Sequence, residues 1–181
     1  MLRKLFATNH VPKEQLKEFF EQLAKLDSSD MLGRTKVYCE AASPNQDSKL
    51  ETLLTVFTQS DSLSLQDVQE KCRGFCQFEQ RELLATMSDE FFDRIEDFVD
   101  TKAWSLARYA YHFLAPGLKA TQEELDRFKA LLARLEGYSE HERKEGTFRL
   151  IKWVKDSIKD LSDKRAGREL SRAWEASVSQ Q

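Results

Sequence analysis

Proline, glycine, cysteine and histidine are all scarce in this chain: three prolines, six glycines, three cysteines and three histidines among 181 residues. So few turn formers leave little material for tight turns. With Leu, Glu, Lys, Ala and Phe dominating, the composition favours helices joined by short loops. Three cysteines are an odd number, so Cys39, Cys72 and Cys76 are read as reduced, half-buried thiols of a cytoplasmic protein. No apolar run approaches the roughly 20 residues that cross a bilayer, and the stretch after Met1 is too short and polar for a signal peptide. The chain is therefore expected to be soluble, with no membrane partner. Charge is balanced too, at 31 acidic and 28 basic side chains and a net of -3. No basic stripe is available to neutralise phosphates, which argues against nucleic acid as a partner.

What the chain has in quantity is apolar residues at helical spacing. A first helix is expected from Pro12, with Leu16, Phe19, Phe20, Leu23 and Leu26 on one side. Phe19 and Phe20 are adjacent, so at most one can point fully inward. Asp27 to Asp30 punctuates, and a second helix runs through Met31 to Ala41. Ser43, Pro44 and Gln46 then read as N-cap, first helical position and capping-box partner of a third helix ending near Gln59. A helix capped by Ser64 is expected to end at Gly74.

From Glu79 the apolar residues Leu83, Leu84, Met87, Phe91, Ile95 and Phe98 recur at threes and fours, predicting the longest helix, with Ala103 to Leu114 as its partner. Pro116 and Gly117 stop that partner. Thr121 to Glu124 is a capping box for a helix through Leu135 that Gly137 ends. Ser139 is expected to cap the next helix, lined by Phe148, Ile151, Val154, Ile158 and Leu161. A last charged helix then covers Asp163 to Trp174. The total is about nine helices. Short connections make neighbours antiparallel, so the expected fold is all-α, built of stacked antiparallel helical hairpins in a curved layer. The expected organisation is one α-helical domain over residues 1–176 and a frayed tail over 177–181. Its length suits one domain burying roughly 70% of its unfolded surface.

The segment Cys72 to Pro116 carries a recognisable order of residues. A Gly-Phe pair, Gly74-Phe75, precedes Gln80-Arg81-Glu82-Leu83-Leu84. The pair Phe91-Phe92 follows, and a short helix ends in Leu114-Ala115-Pro116. Upstream, Arg34 runs to Ala41-Ala42-Ser43-Pro44 before a helix containing Lys49. Downstream come Leu125 to Leu132 and Arg165-Ala166-Gly167-Arg168. In this order, over about three quarters of the chain, it resembles the C-terminal helical domain of zinc aminopeptidases of the aminopeptidase N and puromycin-sensitive type.

The resemblance implies a HEAT- or armadillo-like superhelical bowl that packs on the enzyme's own catalytic domain, encloses the cavity and limits access of peptide substrates. The zinc cofactor would belong to that catalytic domain, which is absent from this chain. The parent reaction would be removal of an N-terminal amino acid from a peptide. The rival reading is a stand-alone helical-repeat scaffold that binds a protein on its concave side.

No catalytic or metal-binding residue is assigned. The nearest approach to His-Glu-x-x-His is His141-Glu142-Arg143-Lys144-Glu145, whose last position is Glu. Cys72, Cys76 and His112 make a set of only three, against the usual four for structural zinc. The pairs Glu123-Glu124 and Glu140-Glu142 are explained by helix N-termini. The basic run from Lys152 to Arg168 is balanced by Asp156, Asp160 and Asp163 as a solvated face. Between Trp104 and His112, the polar tips of Arg108, Tyr111 and His112 make these three the candidates for lining a substrate cavity.

Overall fold

The computed structural model describes residues 2–8, 11–26 and 29–178, and every regular element among them is helical. The helices are α1 (Leu2–Phe6), α2 (Lys13–Leu26), α3 (Asp30–Ala42), α4 (Gln46–Gln59), α5 (Leu65–Phe75), α6 (Arg81–Ala85), α7 (Ser88–Thr101), α8 (Trp104–Leu114), α9 (Gln122–Gly137) and α10 (Glu145–Val178). Short 3-10 turns occupy Ser60–Ser62 and Phe78–Gln80. The chain divides into two compact units, Met1–Pro116 and Gly117–Gln181.

In the first unit α3 packs closely against α5, and α5 in turn meets α4 and α8. Leu53, Val56, Val68, Cys72, Phe91 and Ile95 are all buried there. Phe57 meets Phe98 edge to face at 5.1 Å, joining α4 to α7. The tight approach of α3 and α5 depends on Gly74, where a Cβ would sit 2.3 Å from the Tyr38 carbonyl oxygen. Gly74 therefore lies inside α5 as a contact residue, and the helix continues to Phe75. On α2, Leu16 and Phe20 are buried while Phe19 is 44% exposed.

The second unit is a hairpin of α9 and α10. Lys155 pairs with Glu136 at 2.7 Å near the loop, while Arg168 donates to the Lys119 carbonyl at the far end, so the helices are antiparallel. Leu125, Phe128, Leu131 and Leu135 on α9, with Leu150, Val154 and Leu161 on α10, form its core. Gly117 has φ +133, a conformation that favours glycine. The predicted capping box is present: Glu124 N–H donates to Thr121 Oγ1 at 3.1 Å, and Thr121 N–H to Glu124 Oε2 at 3.0 Å.

Several expected boundaries move. Asn45, not Ser43, caps α4, its Oδ1 accepting from Ser48 N–H at 3.0 Å, while Ser43 closes α3. The long helix expected from Glu79 is interrupted. Thr86 and Met87 donate their N–H groups three residues back to Leu83 and Leu84, and the Thr86 and Ser88 hydroxyls bond Leu83 and Ala85 carbonyls. Such local bonds compete with the regular helical ladder.

The longest helix is instead α10, with 34 residues. Ser162 Oγ donates back to Ile158 O and Lys164 pairs with Asp160, so the helix passes through Asp163 without a break. Its range includes 177 and 178, which were expected in the frayed tail, while 179–181 lie outside the described residues. So do Asp27 and Ser28 of the expected punctuation and His10. Ser139 opens a turn, not a helix: its N–H and Oγ both donate to Glu142 Oε2, at 2.8 and 2.7 Å. With α1 unforeseen, ten helices stand among the described residues in place of about nine.

Candidate functional site

Four of the sequence signatures meet at one buried polar junction. Lys49 on α4 is fully buried, and its Nζ donates to Ala41 O at 2.8 Å, Gly74 O at 3.1 Å and Phe75 O at 2.7 Å. An ammonium has three N–H donors, and here each finds a carbonyl from the last turn of α3 or α5. Those carbonyls carry the negative ends of two helix dipoles. Burial is the largest influence on this amine and pulls it from 10.5 to about 7, with Cys76 acting in the opposite sense.

Gln80 completes the junction. Its Nε2 donates to Ala42 O at 2.9 Å and to Ala7 O at 2.8 Å, tying the end of α3 to the segment after α1. Gln77 Nε2 reaches Tyr38 Oη at 3.0 Å and Gly74 O at 3.1 Å. The Ala-Ala pair, the Gly-Phe pair, the helix-borne lysine and the glutamine before Glu-Leu-Leu thus act on one another as architecture. Lys49 went unassigned in the sequence reading. Its signal was that it precedes Leu53, Val56 and Phe57 on the buried stripe of α4, where a lysine needs acceptors.

The three candidate cavity residues on α8 are split by the helix. Arg108 and His112, one turn apart, are exposed, with Arg108 stacked over the Trp104 ring at 5.2 Å and His112 edge-on to Phe113 at 4.9 Å. Tyr111 turns inward, 7% exposed, and its ring lies 5.9 Å from that of Phe91. The exposed side of α8 therefore presents a cation, an imidazole and the half-exposed Trp104, chemistry suited to contacting a peptide.

A separate cavity of about 740 Å³ opens among α1 to α5. Phe6, Phe20, Leu32 and Cys39 contribute its apolar lining, while Lys17, Glu21, Lys36 and Glu51 supply charge of both signs. Its size falls in the range of small-ligand sites. No nucleophile with an adjacent base was predicted there, and the residues named supply none.

The metal-like strings do not assemble. His141 and Glu142 lie in the turn before α10, and Glu145 begins the helix, so the spacing that would stack two ligands on one helical face is missing. Cys72 is fully buried within α5 while His112 is exposed on α8. Among the described residues no group of three or more His, Cys, Asp or Glu side chains is arranged to hold a metal ion. Burial pushes the Cys39 and Cys72 thiols up to about 12, and also raises Cys76. All three cysteines are free. Among the described residues no helix is long and apolar enough to cross a membrane.

No family model matches the chain. Among curated proteins it is similar to an aminopeptidase N of Streptomyces lividans, with 32% identity over 96 residues. That match covers 53% of this chain and 11% of the relative, so the matched segment spans about a tenth of the relative's length.

Proposed function

We propose that this chain is the C-terminal helical domain of a zinc-dependent aminopeptidase, where it caps the active site and shapes the substrate cavity without catalysing bond cleavage itself. The observation that carries the reading is the junction around Lys49. The residues that make the chain resemble this family are the ones that lock α3, α4 and α5 together. Their order is thereby given a physical reason, and the partial similarity to an aminopeptidase N agrees with it. In this reading the helices stack as a HEAT- or armadillo-like superhelix.

In this reading the zinc is held by the catalytic domain. The chemistry of that metal is activation of water toward a scissile carbonyl. The part proposed for this chain is steric: admission of peptides, selection by length and exclusion of water. Arg108 and His112 are the side chains assigned to touch a passing peptide, while Tyr111 holds α8 against α7. Phe19, exposed on α2 beside a buried Phe20, belongs to the surface that meets the catalytic domain.

The test is to capture the protein from its source cells with an antibody raised against this chain. A polypeptide several-fold heavier than 21.1 kDa, with chelator-sensitive removal of N-terminal residues, is expected. A 21.1 kDa product without activity or zinc would instead establish the protein-binding scaffold, for which the open cavity among α1 to α5 offers a docking surface.

A further inference from the structure

Two guanidinium groups from distant parts of the first unit converge on a single carboxylate. Arg3 on α1 places NH2 3.2 Å from Glu70 Oε2, and Arg73 on α5 places NH1 2.9 Å from Glu70 Oε1. The Glu70 side chain is 11% exposed, whereas those of Arg3 and Arg73 are 44% and 40% exposed. The cluster thus hides its anion and shows its cations. Two positive charges and one negative charge leave a net of +1 at a point reached by solvent.

The surroundings add donors and hold the geometry. Arg73 NH2 donates to Tyr109 Oη at 2.8 Å, which leaves the phenol proton of Tyr109 free to point elsewhere. The Arg73 guanidinium also lies 5.5 Å from the centroid of the Tyr109 ring, and that of Arg3 lies 4.3 Å from the centroid of Tyr38. Tyr38 Oη is itself held by Gln77 Nε2 at 3.0 Å. Stacking of this kind restricts two otherwise flexible side chains before any ligand arrives, which lowers the entropic cost of binding. Each guanidinium carries five N–H donors, and only a minority of the ten are used by Glu70 and Tyr109. Glu70 Oε2 accepts no hydrogen bond and is buried, so the unused donors, not this oxygen, face the solvent.

We propose that Arg3, Arg73 and Tyr109 form a binding site for the carboxylate of a small or peptide ligand, with Glu70 as the positioning residue that holds the two guanidiniums together. Carboxylate is the matching class for two reasons. Its single negative charge neutralises the net charge of the cluster, whereas a phosphate dianion would leave an excess. Its planar pair of oxygens also accepts the parallel N–H bonds that guanidinium presents. The site lies outside the surface of Arg108 and His112 and does not depend on the aminopeptidase reading.

The experiment is a titration of the full chain with acetate, inorganic phosphate and chloride at matched ionic strength, followed through the arginine Nε–H resonances. Acetate is expected to shift the Arg3 and Arg73 signals together and to saturate at millimolar concentration. Arg73→Met and Arg3→Met are each expected to weaken acetate by about tenfold, the loss of one charge-assisted contact. Because Arg73 also ties α5 to α8, Arg3→Met provides the second, independent variant. Glu70→Gln removes the hidden negative charge and is expected to move the preference from acetate toward phosphate. Shifts that chloride reproduces, tighter binding of phosphate than acetate by the unaltered chain, or acetate affinity unchanged in Arg3→Met would each overturn the assignment.

Discussion

The side chain of Lys49 closes the helix that ends at Phe75, with its Nζ 2.7 Å from the Phe75 carbonyl oxygen although 26 residues separate the two. The same amine serves Ala41 at the end of α3. One buried cation thereby fixes the ends of two helices relative to a third. Replacement of Lys49 by Met keeps the length of the chain and removes every donor. The Ala41 and Phe75 carbonyls would then lose this donor while Gly74 keeps Gln77, and the expected loss is roughly 1–3 kcal/mol. Urea unfolding monitored by circular dichroism measures it; a loss below ~1 kcal/mol would mean that water replaces the ammonium freely.

Gly74 and Gly167 should respond to alanine with opposite signs. A Cβ at Gly74 meets the Tyr38 carbonyl oxygen at 2.3 Å and Ala41 Cβ at 2.9 Å, so α3 and α5 must part. Gly74→Ala is expected to cost at least ~1–3 kcal/mol. Gly167 lies within α10 with nothing inside 4 Å of its Cβ position, and Gly167→Ala is expected to stabilise by ~0.5–1 kcal/mol. Melting temperatures of the two variants, measured side by side, decide the matter.

Stability should rise with pH from neutrality and then fall. Lys49 binds its proton up to 10.5 when unfolded but only to about 7 in the fold, so between those values the unfolded chain carries the extra proton and stability increases with pH. Cys39 and Cys72 act in the other direction. They lose protons near 9.0 when unfolded and near 12 in the fold, so stability present below 9.0 is lost as pH rises toward 12. With two thiols set against one amine, the maximum is expected near pH 9.0. Chemical denaturation across that range should show the climb in the unaltered chain and its absence in Lys49→Met.

The same burial predicts a graded thiol reactivity. Under native conditions at pH 8 an aromatic disulfide reagent should modify Cys76, which is half-buried, slowly and leave Cys39 and Cys72 untouched. All three should react at once after unfolding. Rapid native modification of all three would show that α3 and α5 separate readily.

Substitution of Arg108 and His112 by alanine should leave the unfolding free energy of the chain within ~0.5 kcal/mol of the original, because both are exposed. On the proposed aminopeptidase reading, the pair is expected to alter kcat/KM of the whole enzyme for peptides by about 2–5-fold while leaving a single-residue chromogenic substrate unaffected, the range of an exposed polar contact. Unchanged kinetics for every peptide would remove this surface from the substrate path. Tyr111→Ala, by contrast, should destabilise, since it opens a cavity beside Phe91.

The positions of α2, α8 and α9 were legible because their start and stop signals are local and their apolar stripes are regular. The capping box at Thr121 is the clearest case: both of its bonds lie within three residues. The break at Thr86 was not legible, because the apolar spacing from Leu83 to Phe98 continues across it. Nor was the continuity of α10, where charged residues look like a boundary but support the helix through Lys164 and Asp160. Of the three candidates on α8, sequence placed all of them in one polar group, and the helix rotation then separated buried Tyr111 from exposed Arg108 and His112.

Composition and periodicity alone determined that this protein is helical, since scarce proline and glycine and apolar residues at threes and fours permit little else. Only the tertiary structure decided the roles of Gly74, Lys49, Gln80 and Glu70. Gly74 looks like a helix stop until Tyr38 is brought against it, and Lys49 looks like a surface charge until three carbonyls surround it. Glu70 becomes the anchor of two arginines only when α1 reaches α5. Helical periodicity is written in neighbours a turn apart, whereas these roles arise from contacts between residues tens of positions apart, whose energies depend on burial and on which acceptors the fold delivers.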